Sequence, residues 1–586
     1  MSSSCPSHAS SISALEAEVE EKSEEVSGEE TEDEPEKEKL EKEKFRPGWR
    51  FHTIFGCLCL MMLVVALDAT TLSVALPVIS SSLHGTALTT FWAGTSFLLS
   101  STVFQPTLSS LSHIFGRLPL ILFSLVVFTA GCITAALSAS FTVLILGRTV
   151  QGVGAGGLIV LSEVVITDLV PLRERGSFYG YMSATWAVGS VCGPLVGGVF
   201  AGSKSAHEMN GGEKGGYGGW RWIFWLNIPI AVVGLVILPV VLRLQKPMHG
   251  FSVKEKLKSV DWIGAVLLTG STTAILMPVT WGGIQYSWSN FRTLLPLLLG
   301  LIGFVGWIAY EIYTQHPNPL IKMQIFSNRT AAASYFGILI QGIILWCLLY
   351  YLPLYYEACH SLSPLRAGLA ILPETLTVAP VAFIAGIAIS KVGVYRWCIW
   401  LGWSLAILGL GVMWLLDENT STKMWVGINL IPGIGIGLLF PGLEYATQAA
   451  AGQKDVADAA AMYNFIRAFG QGIGVAVGGS IFQTQLKRKL LAFPAVAGVA
   501  TKYANDAASL IELMKAMDME DRNGVREALE KGYADSLKMV WAVMASLAGL
   551  ALLVSLFTRE LGIDEELESK QGLKRTPGQW EDKAEV

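Results

Sequence analysis

The stretch GSVCGPLVGG, Gly189 to Gly198, returns in altered form as GQGIGVAVGG, Gly470 to Gly479. Gly189, Gly193, Gly197 and Gly198 recur 281 positions later as Gly470, Gly474, Gly478 and Gly479. A second row, Gly152-x-Gly154-x-Gly156, returns at the same displacement as Gly433-x-Gly435-x-Gly437, while Gly116 matches Gly393 at 277 and Pro77 matches Pro353 at 276. One such row reads as a packing seam, because small residues let membrane helices approach closely. Two rows in the same order and at one displacement read as a duplication. The pattern predicts two parallel six-helix halves with two further helices between them. Halves of this kind hold a substrate site at their interface near the midplane and work by alternating access.

Composition agrees with a membrane solvent. Of 586 residues 52% are hydrophobic and 15% charged, with mean hydropathy +0.49; a soluble chain carries about 25% charged residues. Residues 1–50 hold 15 acidic and 7 basic side chains, so the overall charge of −5 belongs to this tail and names no nucleic-acid partner. The tail is rich in Glu, Ser and Lys and is expected to be disordered. About 20 apolar residues cross a bilayer core. On that ruler fourteen spans are predicted, near 54–79, 91–111, 118–138, 142–166, 177–201, 221–242, 262–282, 293–313, 331–356, 366–390, 396–416, 424–449, 460–484 and 538–558. Segments of about ten alternating residues, the mark of a membrane β-barrel, are absent. The fold class is an all-α polytopic membrane protein.

Loop charge sets the orientation. With the N-terminus cytoplasmic, short inner loops carry 13 Lys and Arg against 6 in short outer loops, which predicts both termini inside. The expected organisation is a cytoplasmic tail 1–50, a bundle 51–243, a linker with two inserted spans 244–330, and a bundle 331–558 that includes an outer loop 486–537. A cytoplasmic tail 559–586 follows. Amphipathic helix is expected in the outer loop around 507–517 and 525–531. Asn419 begins an outward-facing glycosylation sequon. The eight cysteines show neither disulfide nor metal spacing, and no basic-then-apolar signal peptide opens the chain.

Several motifs carry a resemblance. The first span has Leu67-Asp68-Ala69-Thr70 followed by Val74-Ala75-Leu76-Pro77, and the fourth opens Gly147-Arg148-Thr149-Val150-Gln151-Gly152. The fifth holds the glycine row with Pro194, and Trp220-Arg221-Trp222 leads to Asn227-Ile228-Pro229 at the sixth. In this order they resemble the major facilitator superfamily, in its fourteen-helix drug:proton antiporter branch of the fungal efflux-pump type. The resemblance covers roughly 50–485 and the last span. It implies a major facilitator fold of two six-helix bundles plus two inserted helices. The loop after the second span departs from the family pattern: His113 stands three residues before Gly116 in place of the usual Asp, ahead of Arg117. In the family that Asp helps lock one conformation from the cytoplasmic side. Histidine titrates nearest neutrality of all side chains, so His113 reads either as an altered bias or as drift at a tolerant loop.

A charge at the centre of a span costs about 2.5–3.5 kcal/mol on insertion scales, so it marks a partner or a function. Asp68 and Arg148 are such charges, expected to face the cavity between the halves and to carry proton coupling, with Arg148 setting the proton affinity of Asp68. A static ion pair is the alternative. His113, Gly116, Arg117 and Asp168 are expected to form a cytoplasmic gate. The row Gly189, Gly193, Pro194, Gly197 and Gly198 reads either as a bend that seals the cavity against proton leak or as close packing. Gln151, Gln341, Trp346, Tyr350, Glu374, Gln448 and Arg467 are candidate pocket residues, an apolar wall with a few polar handles; snorkelling explains the charged ones equally well.

These signs predict a proton-coupled antiporter that exports small organic molecules such as toxins, secondary metabolites or drugs across the plasma membrane, or alternatively the vacuolar membrane. The expected partners are substrate, protons and the lipid bilayer, with no nucleic acid. No phosphate-binding loop is present, so ATP is not expected as the driving force. No cofactor or metal is expected, a monomer is the expected state, and no paired catalytic carboxylates or Ser/His set suggests an enzyme. Alternatives within the same fold are a proton-coupled importer of siderophores or amino acids and a non-transporting nutrient sensor.

Overall fold

The computed structural model describes residues 47–84, 87–202, 219–245, 247, 251–282, 285–314, 316–494, 496–505, 510–511, 514 and 525–563. The chain divides into units Met1–Trp49 and Arg50–Val586. Nearly all of the first, with the expected disordered tail, lies outside the described residues, as does most of 507–517 and of 559–586.

Among the described residues, thirteen helices are long and apolar enough to cross a membrane. In chain order the first half has α1 (Trp49–Ser82), α2 (Ala87–Val103), α3 (Gln105–Phe115), α4 (Arg117–Ala136), α5 (Phe141–Leu169), α6 (Arg175–Gly202) and α7 (Gly219–Val241). The inserted pair is α8 (Trp262–Trp281) and α9 (Phe291–Tyr313). The second half has α10 (Arg329–Cys359), α11 (Leu372–Val392), α12 (Arg396–Val412), α13 (Thr422–Ala451), α14 (Val456–Leu491) and α15 (Val525–Ser555).

The second predicted span, 91–111, is formed by α2 and α3 in succession, bent at Phe104, whose N–H still donates to the Ser100 carbonyl at 3.3 Å and whose carbonyl accepts from the Leu108 N–H at 3.0 Å. Pro106 explains the bend, since its nitrogen has no proton for the ladder and its ring crowds the residue before it. The last two spans outrun their predicted edges. The first turns of α15, where helix was expected over 525–531, are held by Arg526 and Glu530 at 2.9 Å and by Lys489 of α14 at 3.0 Å from Asp535, while Leu529, Tyr533 and Leu537 are buried.

The glycine rows do the same work in both halves. A Cβ on Gly152 or Gly156 would collide with the backbone of α2 at Phe97 and Ser101, and one on Gly154 with α4 at Ser124 and Phe128. In the second half Gly433 and Gly437 abut α11 at Glu374 and Val378, and Gly435 abuts α12 at Gly402 and Ala406. So α5 and α13 are each pressed between two neighbours by alternate glycines. The longer rows seat α6 on α1, at Ala66, Thr70 and Thr71, and α14 on α10, at Leu339, Ile343 and Cys347. At Gly116 and Gly393 the backbone has φ of +99° and +79°, which only glycine adopts freely. The matched pair therefore ends α3 and α11 at a positive φ, although ψ differs, at 156° for Gly116 and 4° for Gly393.

Candidate functional site

Asp68, on α1, is 1% exposed. Its Oδ2 accepts from Arg148 Nη1 at 2.5 Å, and its Oδ1 accepts from Gln151 Nε2 at 2.7 Å and Asn227 Nδ2 at 2.8 Å. Arg148 also donates to Gln151 Oε1 at 2.8 Å and to the Ala93 carbonyl at 3.3 Å, and its guanidinium lies 4.2 Å from the Phe97 ring centroid. A buried ion pair is tolerated when further hydrogen bonds satisfy both charges, and this one meets that condition. All its donors come from the first half. The expectation that Asp68 and Arg148 face the cavity is corrected: neither is among its wall residues, and α1 presents Met62 to it and Val65 and Ala69 to the space beside it. The reason is helical phase, because the face of α1 carrying Asp68 turns toward α5 and α7.

The cavity lies between the halves, with about 1060 Å³ not filled by protein atoms. A neighbouring space of about 930 Å³ shares Gln105, Ile159, Trp186, Trp346, Ala468 and Gln471 with it. Met62, Met182, Trp186, Leu345, Trp346 and Phe440 supply apolar wall, and Gln105, Ser183, Thr375, Asn464 and Gln471 supply polar handles. Three charged side chains reach the wall: Glu163 from α5, Glu444 from α13 and Arg467 from α14. Asn464 Nδ2 donates to Glu163 Oε2, and Asn464 Oδ1 accepts from Arg467 Nη2 at 2.7 Å. Arg467 is also 3.6 Å from Glu163 Oε1. Glu444 Oε1 accepts from Gln448 Nε2 at 3.2 Å, and Gln448 spans to Tyr179 and Arg175 of α6.

Of the predicted pocket residues, Trp346, Tyr350 and Arg467 line these spaces. The other four are corrected. Gln151 is committed to Asp68 and Gln448 lies behind Glu444. Gln341 and Glu374 are buried away from the wall. Sequence reasoning passed over Glu163, Glu444 and Asn464 as wall residues. The repeat held the signal: Glu444 follows Glu163 by 281, as Asn464 follows Ser183 and Arg467 follows Trp186.

One end of the cavity is shut. Arg117 Nε donates to Asp168 Oδ2 at 2.8 Å, Arg117 Nη1 to Ser112, and Arg117 Nη2 lies 3.4 Å from His113 Nδ1. His113 Nε2 is 2.8 Å from Asp458 Oδ1 on α14, and Lys322 Nζ is 2.8 Å from the other oxygen of Asp458 and 2.6 Å from Asp455. Partial burial works against the Lys322 ammonium, but Asp458 and Asp455 prevail and raise its pKa above the ordinary lysine value. The chain of charges thus runs from α4 and α5 of one half through His113 to α14 of the other. Beside it Arg173 donates to the Ser390 carbonyl at 2.8 Å, and Tyr445 of α13 bridges the Arg173 carbonyl and the Gly176 N–H. Gly176 and Gly386 let α6 and α11 touch backbone to backbone. Asn419 is exposed in the loop between α12 and α13.

The comparisons agree with this architecture. A family model described as Major Facilitator Superfamily matches residues 58–475. The chain is 48% identical over 532 residues to "MFS transporter L2" of Phoma sp., covering 91% of this chain and 86% of that one. It is 34% identical over 531 residues to "MFS-type efflux pump LUC4" of Fusarium sp., covering 90% and 91%. Among solved structures, a bacterial homologue of the human lysosomal transporter Spinster, inward-facing and occupied, superposes with a TM-score of 0.55 at 15% identity, over 88% of this chain and 98% of that one.

Proposed function

This chain belongs to the Major Facilitator Superfamily, and from that membership we propose that it is a proton-coupled antiporter exporting small organic molecules. The observation that carries the reading is an apolar, aromatic cavity between two halves whose wall bears the charged side chains of Glu163, Glu444 and Arg467. Such a cavity suits amphiphiles with a large apolar body and a few hydrogen-bonding groups. The efflux pump among its relatives supports outward transport. In this reading residues 51–243 and 331–558 rock against each other, with 244–330 carried between them. In the same reading His113, Arg117, Asp168 and Asp458 close the cytoplasmic end, both termini are cytoplasmic, and Asn419 lies outside, open to glycosylation.

Asp68 and Arg148 are the proposed coupling pair of the first half. Protonation of Asp68 would free Arg148 from its main counter-charge and loosen the junction of α1, α5 and α7. The test measures accumulation of a panel of amphiphilic toxins and dyes in a host stripped of its own pumps. Lower accumulation with the wild type, abolished by a protonophore and by Asp68→Asn in a normally folded protein, is the expected result. Higher accumulation would reveal an importer, and protonophore-insensitive efflux would remove proton coupling.

A further inference from the structure

The partners of Asp68 all belong to its own half and travel with it when the halves rock. The carboxylates on the cavity wall differ in this respect. Glu163 belongs to the first half, yet its donors Asn464 and Arg467 belong to the second. Glu444 belongs to the second half, and the groups that face it, Glu163, Arg175 and Tyr179, belong to the first, apart from Gln448 on its own helix and Arg467 on α14. Closing this end therefore assembles both environments, and opening it takes both apart.

The charges around the closed arrangement are unequally shared. Arg467 is joined to Glu163 directly and through Asn464, and its guanidinium rests 4.8 Å from the Tyr463 ring centroid and 5.3 Å from that of Phe440. Arg175, the other cation nearby, donates to the carbonyls of Val170 and Thr167 and to Gln448 Oε1, so it meets Glu444 only through an intervening amide. Glu444 itself, 4% exposed, accepts from the neutral Gln448 and has a second carboxylate as a neighbour on the wall. A carboxylate that is almost wholly buried, lacks a direct cation and lies near another carboxylate favours its protonated form, and parting it from that neighbour and admitting water at this end restores the charge.

We propose that Glu444 is a proton-binding site of the transport cycle, taking up a proton when the His113 end shuts and releasing it when that end opens to water. The inference rests on the reading of the chain as a proton-driven pump and deepens it. The direction follows from the geometry: a proton that enters through the cavity while this end is closed leaves at this end, opposite to an exported substrate. Glu163, anchored to Arg467, is the positioning partner that keeps the guanidinium from neutralising Glu444.

The test needs neither a substrate nor transport. Infrared spectra of the purified full-length protein in lipid vesicles are titrated with pH, and the carbonyl stretch of protonated carboxyl groups is followed. In the wild type a protonated-carboxyl band is expected to persist at neutral pH, with a component that is lost in Glu444→Gln and kept in Asp68→Asn. In Glu163→Gln that component is expected to titrate at lower pH, because Arg467 becomes free to pair with Glu444; this variant keeps the test valid should Glu444→Gln fail to fold. An unchanged band in folded Glu444→Gln, or an unmoved midpoint in Glu163→Gln, overturns the proposal. Failure of proton-driven export in the accumulation assay would instead overturn the transport reading, independently of the spectra.

Discussion

Gly193 and Gly197 face α1 at Thr70 and Thr71, within three positions of Asp68, but they meet different atoms. A Cβ at Gly193 runs into the Thr70 side chain, whereas one at Gly197 runs into the Thr71 carbonyl. A side chain can be trimmed and a backbone oxygen cannot. Gly193→Ala is therefore expected to lower the thermal midpoint of the detergent-solubilised protein, by the equivalent of about 1–3 kcal/mol of overpacking, with Thr70→Ala recovering part of the loss. Gly197→Ala should cost at least as much, with no recovery from Thr70→Ala. Equal recovery at both positions would show that the row is not a seam of this kind. Close packing of α6 on α1 is thus visible at Gly189, Gly193 and Gly197, while Pro194 sits within α6 without ending it.

At the scale of elements, the His113 end is where four helix termini, those of α3, α4, α5 and α14, exchange charge. The family's usual Asp at this position would be repelled by Asp458, whereas His113 bridges to it from α3. His113→Asp, although it restores the family's residue, is expected to loosen α3 from α14 by about 1 kcal/mol, a typical value for a partly exposed pair. With native cysteines replaced, alkylation of Ala461→Cys beneath this contact should speed up severalfold, and Asp458→Asn should reverse the increase. No change in the alkylation rate would mean that His113 does not fasten these helices. The spans were legible because apolar length is set by the bilayer, and the duplication was legible because glycine rows keep their spacing. The bend at Phe104 was not foreseen, since Pro106 inside an apolar run is compatible with either a kinked or a straight span. Asp68 and Arg148 stood out by the cost of their charges, but cost reveals depth and not direction, so their distance from the cavity wall was hidden. Glu163 and Glu444 were obscured for the complementary reason: near the end of a span a carboxylate looks like an interface residue until the repeat relates the two.

For the whole molecule, the proposed rocking requires the His113 end to part. Joining residues 113 and 458, as a His113→Cys and Asp458→Cys pair bridged by a short thiol-reactive linker, is expected to stop transport, and a reductant that cleaves the linker should restore it. Continued transport in the bridged protein would show that this end does not need to open. The inserted pair adds a second constraint on that motion. Helix α8 rests on α2 of the first half and on α14 of the second, with Leu276 and Thr280 forming part of the wall of the second space, Leu276 meeting Gly472, and Thr269 3.4 Å from Thr107. It covers the seam between α2 and α14 like a batten over a joint. A hydrophobic cargo dissolved in the lipid leaflet thus finds that flank boarded over, which directs any sideways entry from the bilayer to the opposite flank of the pump.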